Sequence, residues 1–442
     1  MGIIEIINSL LKDYAFCDSC LGRQFAMLGH GLTNEERGRA LKLTCLIEGS
    51  RLEGEERNKG RKVIHFLAVN GFSQIASGTL ESWGFKNEKQ KKDCYLCHGV
   101  FTHIEELAVF VTKKLSQYEY NSFLVGIKCN AEVEDREDEL RSKFGLKWGE
   151  SIRNELSREI GKKLVEITKK NVDLRRPDIV IVLNPFKKSI GLEVNSLFLA
   201  GRYRKLVRGV SQSKWFCREC RGKGCPRCNM TGKMYPDSVE ELIGSPLLEV
   251  TRGECAKLHA AGREDIDVRM LGSGRPFVIE AKKPETRAID LEELRKVINM
   301  KAEGKIEVDT LRFSSKGEVR KLKEGEKAIK VYRAVVAVDR DLDENDIKKI
   351  EQMTGTIINQ MTPIRVSHRR ALKIRKKYLY GIEVKKLKVN LIEILIRCQG
   401  GLYVKELIHG DEGRTKPSIS EVIDVSSKCL ELDVMNIEME EF

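Results

Sequence analysis

Between Glu150 and Lys169, Ile152, Leu156, Ile160 and Leu164 recur every four residues with Glu and Lys on the opposite side, which predicts a one-sided helix. The run Asp178-Ile-Val-Ile-Val-Leu183 predicts a buried strand, and the alternation from Gly191 to Leu199 predicts a second. Residues 1–60 read as helical: Ile3, Ile4, Ile7, Leu10 and Leu11 fit one face, and Thr33-Asn34-Glu35-Glu36 suits a helix start. Further on, strands are expected over Arg275–Ala281, Lys305–Phe313, Ala328–Val338 and Leu387–Cys398, and helices over Asp290–Met300, Asp343–Met353 and Ser418–Val425. Asp265, Asp267 and Arg269 alternate with Ile266, Val268 and Met270, the period of a half-buried strand. The pattern as a whole is that of an α+β protein with a mixed sheet in its C-terminal half.

A chain of 442 residues exceeds one ordinary core, so two or three domains are expected. It has no apolar run long enough to span a membrane and no basic, apolar leader, which places it inside the cell. The net charge of +13 is concentrated. From Met361 to Asn390 there are ten Lys or Arg and one Glu, and from Gly201 to Lys214 five basic residues and no acidic one. Such clusters point to a polyanion, nucleic acid ahead of membrane, although a charge run is also the ordinary pattern of a solvated face.

Eight of the thirteen cysteines form four Cys-x-x-Cys pairs, which in a reducing compartment argues for metal rather than disulfides. Cys17 and Cys20 stand far from Cys94 and Cys97 in sequence, and together they would staple two segments around one zinc. Cys217, Cys220, Cys225 and Cys228 are close together, with Gly222 and Gly224 for the turns, and would hold a second. Four thiolates leave no open position for a catalytic water, so both zincs read as structural.

Gly262–Gly272 sets charges around Asp265. A carboxylate held between arginines stays ionised and aimed, as covalent catalysis by Asp requires. An ion-paired surface strand has the same pattern, and the segment alone leaves both readings open. His368 stands among arginines in Thr362–Arg370, which suits a phosphate or base contact better than metal ligation. Gly272-Ser-Gly274 lacks the third glycine and the following helix of a nucleotide loop.

Gly262-Arg-Glu-Asp265 resembles the Gly-Arg-Thr-Asp element of tRNA pseudouridine synthases. Gly401-Leu-Tyr403-Val-Lys405-Glu-Leu407 resembles their Gly-Thr-Tyr-Ile-Arg-Ser-Leu element, with Lys405 in place of arginine. With Cys17–Thr33, Gly201–Lys205, Gly262–Glu280 and Gly410–Pro417, these resemble the archaeal and eukaryotic branch that acts on uridines 54 and 55 of the tRNA T-loop; the tight second knuckle points to its archaeal form. The resemblance implies an accessory RNA-binding part over residues 1–205, stapled by zinc and THUMP-like from about residue 75. A knuckle over 206–236 and a pseudouridine synthase core over 237–442 would follow. Asp265 would be the nucleophile, Lys405 its partner, and Tyr332 the tyrosine that packs on the base and takes a proton. Arg263 and Arg269 would orient the carboxylate or hold RNA; Arg202, Arg204, Lys205, Arg365, His368, Arg369, Arg370 and Tyr403 would contact the RNA. The implied enzyme is a cytoplasmic monomer acting on tRNA, with no membrane partner, small-molecule substrate or organic cofactor. A non-catalytic zinc-dependent protein that binds or chaperones structured RNA would need only the basic segments and the cysteine sites.

Overall fold

The computed structural model of the chain describes residues 2–85, 93–323, 328–368 and 370–438. It divides into two compact units, Met1–Asn195 and Ser196–Phe442. The break lies upstream of the boundary expected after Lys205. Leu197–Lys205 is a strand whose Leu199 and Tyr203 pack into the core of the second unit, so it belongs there.

The first unit opens with helices α1 (Ile3–Asp13), α2 (Asp18–Arg23), α3 (Asn34–Glu55), α4 (Arg57–Val69) and α5 (Gln74–Ser82). At the start of α3 the Thr33 hydroxyl accepts from the Glu36 N–H, and the Glu36 carboxylate accepts from the Thr33 N–H, which closes a capping box. Then come α6 (Ile104–Leu115), β1 (Ser122–Ile127), α7 (Ala131–Phe144), α8 (Ile152–Thr168), β2 (Asn171–Val172), β3 (Ile179–Asn184) and β4 (Ser189–Val194). The sheet order is β2-β1-β3-β4, parallel except for the last pair. The expected face of α8 is buried, Ile152, Leu156, Ile160 and Leu164 together, and packs against β1 and α6. Fully buried Arg23 ties helices to sheet layer, reaching Glu137 of α7 at 2.9 Å and Glu155 of α8 at 3.1 Å.

The second unit contains β5 (Leu197–Lys205), α9 (Val239–Thr251), β6 (Cys255–Ala260), β7 (Arg269–Lys282), α10 (Leu291–Lys301), β8 (Ile306–Phe313), α11 (Lys316–Lys323), β9 (Ile329–Val338) and α12 (Glu344–Glu351). It continues with β10 (Ile357–Met361), β11 (Ile374–Lys388), β12 (Leu391–Gln399), α13 (Val404–His409), β13 (Thr415–Lys416), α14 (Ile419–Ile423) and β14 (Ser427–Glu438). One ten-stranded sheet runs β13-β10-β11-β12-β9-β14-β7-β5-β8, with β6 paired to β7. It is antiparallel apart from the short β14–β7 pairing at Asp433 and Arg269. Helices α9 and α10 share a core with β5, β7 and β8, and a second core lies around β9 to β12 and β14.

Three expected strands are corrected. Gly191–Leu199 straddles the turn between β4 and β5, and Leu387–Cys398 straddles the hairpin turn between β11 and β12. β11 itself gave only a broken apolar signal, because charged residues interrupt its alternation and most of the strand is exposed. Gly262–Val268 is a loop and turn, and the strand begins only at Arg269. Among the described residues no helix is long and apolar enough to cross a membrane.

Candidate active site

The loop between β6 and β7 is held from beneath by buried polar groups. The Glu264 side chain is fully buried and forms an ion pair with buried Arg275 at 2.8 Å. It also accepts a hydrogen bond from the Tyr203 hydroxyl at 3.0 Å. Gln212 donates to that hydroxyl and to the Gly262 carbonyl, and Arg275 donates to the Ala261 carbonyl at 2.6 Å. Lys205 Nζ donates to the carbonyls of Val210, Asp265 and Ile266 at 2.8, 3.1 and 3.4 Å. The Val268 N–H closes a turn onto the Asp265 carbonyl. Gly262, at φ +82°, passes so close to Lys330 and Arg275 that any side chain there would meet their charged ends. Buried networks with their partners in place hold one conformation, so the turn is a fixed platform.

On that platform the Asp265 side chain is 37% exposed and takes Arg365 Nη1 at 2.8 Å on Oδ2. Arg365 Nε donates in turn to Glu406 of α13, a carboxylate only 1% exposed, at 2.6 Å. Burial opposes the charge of Arg365, and Glu406 and then Asp265 more than offset that, so its pKa lies above the ordinary arginine value. The expected ion pair of Lys405 with Asp265 is present but long, at 3.9 Å; Lys405 stands closer to Asp267, at 2.6 Å, and Arg365 is the nearer cation to Asp265. Asp265 thus keeps a cation held in place by a buried acid.

A cleft of about 580 Å³ opens over Asp265. Its walls include Tyr332 and Lys330 of β9, Leu402 and Tyr403, and Val434 of β14. Burial pushes the Tyr332 phenol well up, so it is neutral at ordinary pH. Arg365 also lies 5.8 Å from the Tyr403 ring centroid. Arg263, Arg370, Arg375, Lys376 and Lys377 line the same cleft. The arrangement presents a carboxylate, a neutral phenol and flat apolar surface beneath a cationic rim, suited to a planar base on a phosphate backbone.

Other expected contacts fall elsewhere. Lys205 is fully buried and holds the turn, so it cannot reach a phosphate. Arg269 is turned away onto buried Asp433 through two hydrogen bonds, at 2.9 and 2.7 Å, because it begins β7 rather than continuing the Asp265 turn. Arg204 pairs with Glu307 and Asp309, and Arg202 donates to the Gly274 carbonyl. His368 is exposed on the Arg365 loop; Arg369 lies outside the described residues. Arg263 is exposed, 5.0 Å from the Trp215 ring centroid. Glu264 and Glu406 sit inside the Gly262–Asp265 and Gly401–Leu407 elements and Arg275 inside Gly262–Glu280, but nothing in those elements assigns them a role; for Lys330, strand alternation, which puts it on the face of Tyr332, is the usable signal.

A family model described as Pus10, C-terminal matches residues 198–438, and one described as Pus10 THUMP domain, archaeal, matches 107–184. The chain belongs to the Pus10 family. The tRNA pseudouridine synthase Pus10 of Methanocaldococcus jannaschii is 42% identical over 98% of this chain and 94% of that protein. Its namesake from Thermofilum pendens is 40% identical over 98% and 95%. A solved Cbf5-Nop10-Gar1 complex aligns with 45% of this chain and 45% of its own at 18% identity and a TM-score of 0.29, too distant to argue from.

Both cysteine quartets assemble. One lies before the Pus10 THUMP match and the other inside the Pus10 C-terminal match. In each, the four sulfurs lie within 4.8 Å of one another. Cys17–Cys97 at 3.7 Å and Cys217–Cys225 and Cys220–Cys228 at 3.8 Å fit the spacing of about 3.8 Å set by Zn–S bonds of about 2.3 Å in a tetrahedron. Backbone N–H groups of Gly224 and Gly232 point at Cys220 and Cys228 at 3.2 Å, as they do around thiolates. Arg23 donates to Cys20 at 3.4 Å, placing positive charge beside the buried quartet. Either quartet could hold a metal ion.

Proposed function

We propose that this chain isomerises uridine to pseudouridine at positions 54 and 55 of the tRNA T-loop, with Asp265 as the nucleophile. The observation that carries the reading is the Asp265–Arg365–Glu406 array at the floor of a basic cleft, inside the residues that match the Pus10 C-terminal family. The target base must leave the stacked T-loop, at a few kcal/mol, before it can reach Asp265. Arg370, Lys376 and their neighbours on the rim contact backbone phosphates and offset that cost, and Tyr332 and Tyr403 offer their rings to the extruded base.

Over the whole reaction the C1′–N1 bond breaks, a C1′–C5 bond forms, the proton on C5 is lost and N1 gains one. Atoms and electrons balance, so no electron carrier or organic cofactor is needed. Asp265 supplies the electron pair that starts this exchange, and Arg365 fixes the direction of the carboxylate by a hydrogen bond at 2.8 Å. Each cysteine quartet holds one zinc as a structural ligand set, with no position open for catalytic water. The enzyme acts as a monomer in the cytoplasm.

The test is pseudouridine mapping on an unmodified tRNA transcript incubated with wild type and Asp265→Ala. Wild type should convert 54 and 55 and the variant neither; tRNA binding with no conversion by wild type would leave an RNA-binding protein in its place. Elemental analysis of protein purified without chelator should find about two zincs per chain.

A further inference from the structure

Lys330 lies two positions before Tyr332 on β9, and strand alternation puts both side chains on one face, where both line the cleft. Lys330 is only 7% exposed. Among the described residues its ammonium has no hydrogen bond and no ion pair. Arg275 lies behind it: a side-chain carbon on Gly262 would sit 2.7 Å from Lys330 Nζ and 3.2 Å from Arg275 Nη1. Glu264 is already committed to Arg275, and Lys377 to the Gly400 carbonyl. Across the strand pair stands Cys398, a thiol that burial keeps protonated, with its pKa pushed up to about 12. Lys330 is therefore a largely buried side chain whose ammonium faces the cleft with no counter-ion of its own, an arrangement that a ligand in the cleft would complete.

The position of that charge says what would complete it. Phosphates meet the solvated cations of the rim, Arg370 and Lys376, both exposed. An ammonium on the cleft wall beside Tyr332 meets what enters the cleft between Tyr332 and the Asp265 loop, which on the function proposed above is the extruded base. When C1′–N1 breaks, its electron pair stays with the uracil, and the negative charge spreads over N1 and the two carbonyl oxygens. We propose that Lys330 is a catalytic residue whose ammonium hydrogen-bonds a carbonyl oxygen of the target uracil and stabilises the anion formed while the base is detached from the ribose. A donor fixed in a dry site acts mainly where charge develops, so it accelerates the step more than it tightens binding.

The experiment uses full-length, metal-loaded protein with Lys330→Met and Lys330→Arg, and reads single-turnover conversion of a tRNA transcript, tRNA affinity and the thermal midpoint. Lys330→Met should lose about 10²–10³-fold in single-turnover rate, the range for removing one such donor. Its tRNA Kd should stay within about threefold, and its thermal midpoint should be unchanged or higher, because a strained charge is gone. Lys330→Arg should recover part of the rate. Burial first, and then the Arg275 cation, push Lys330 down to about 8, with Glu264 and Cys398 opposing and Lys377 adding to the effect. Wild-type rate should therefore fall above about pH 8. Buried Lys205 titrates over the same range, and a fall that vanishes in Lys330→Arg assigns it to Lys330. A Lys330→Met protein that turns over at the wild-type rate, loses tRNA affinity in step with rate, or fails to fold overturns the proposal. Absence of pseudouridine from the wild-type reaction sinks the parent reading instead.

Discussion

Asp265 and Asp267 stand two residues apart in one turn, and each has a cation within reach, yet the two pairs are built differently. Arg365 is clamped between Asp265 at 2.8 Å and buried Glu406 at 2.6 Å. Lys405 reaches Asp267 at 2.6 Å, but that carboxylate is 60% exposed. The planar guanidinium serves two acids at once and is oriented by the buried one; an ammonium on a flexible stem is a point charge with no such constraint. On the proposed function, the difference separates a carboxylate held for chemistry from one that braces the turn. Proximity in sequence and a nearby cation do not separate them; the group behind the cation does.

The largest effect should come from Asp265→Asn, which keeps shape and removes the proposed nucleophile. Single-turnover conversion of the transcript should fall at least ~10⁴-fold, the order lost when a nucleophile is removed elsewhere. Next is Arg365→Ala, with an expected loss of ~10²–10³-fold for an electrostatic support of this kind. It also strands Glu406, whose second oxygen already lacks a hydrogen-bond partner, so urea unfolding should show a cost of about 3–5 kcal/mol. Adding Glu406→Gln to Arg365→Ala should return most of that stability and none of the rate. Arg365→Lys should restore little, because a lysine cannot bridge two carboxylates in this geometry. If Arg365→Ala instead keeps its rate, the clamp is a structural brace and the contrast with Asp267 disappears.

How far this contrast was legible in the sequence follows from range. Helix α8, the β9 strand bearing Tyr332 and the Cys-x-x-Cys pairs are local patterns, and each is present. The clamp is not local: Arg365 meets a carboxylate 100 residues away and another 41 away, so its sequence surroundings made it look like one more phosphate contact. The alternation through Asp265, Asp267 and Arg269 looked like a strand, yet buried Glu264 and Lys205 bend that segment into a turn. Lys205 was misread for a different reason. Its neighbours Arg202 and Arg204 sit on the outer face of β5, and the two-residue period places Tyr203 and Lys205 on the inner one. That signal was present in the sequence, masked by the charge of the cluster.

Glu406→Gln alone should fall between the extremes. Its amide can still accept from Arg365 but no longer opposes its charge, so a loss of about tenfold in rate is expected, read as a lower single-turnover rate at unchanged tRNA affinity.

The smallest effect should be that of Asp267→Asn. Burial alone would raise the Asp267 carboxyl, and Lys405 more than offsets it, so its pKa lies below the ordinary aspartate value. A carboxylate of that kind adds stability above its unfolded-state pKa, about 3.9, and loses it as pH falls through its lower folded value. At pH 7 the exposed pair should contribute only ~0.2–1 kcal/mol. The Asn variant should therefore unfold in slightly less urea at pH 7, and the gap should close in acid. Its rate should stay within about fivefold of wild type, since such a pair is worth about 1 kcal/mol at most and Lys405 remains 3.9 Å from Asp265. A loss rivalling that of Arg365→Ala would show that Lys405 acts on Asp265 through Asp267, and both carboxylates would then belong to the machinery.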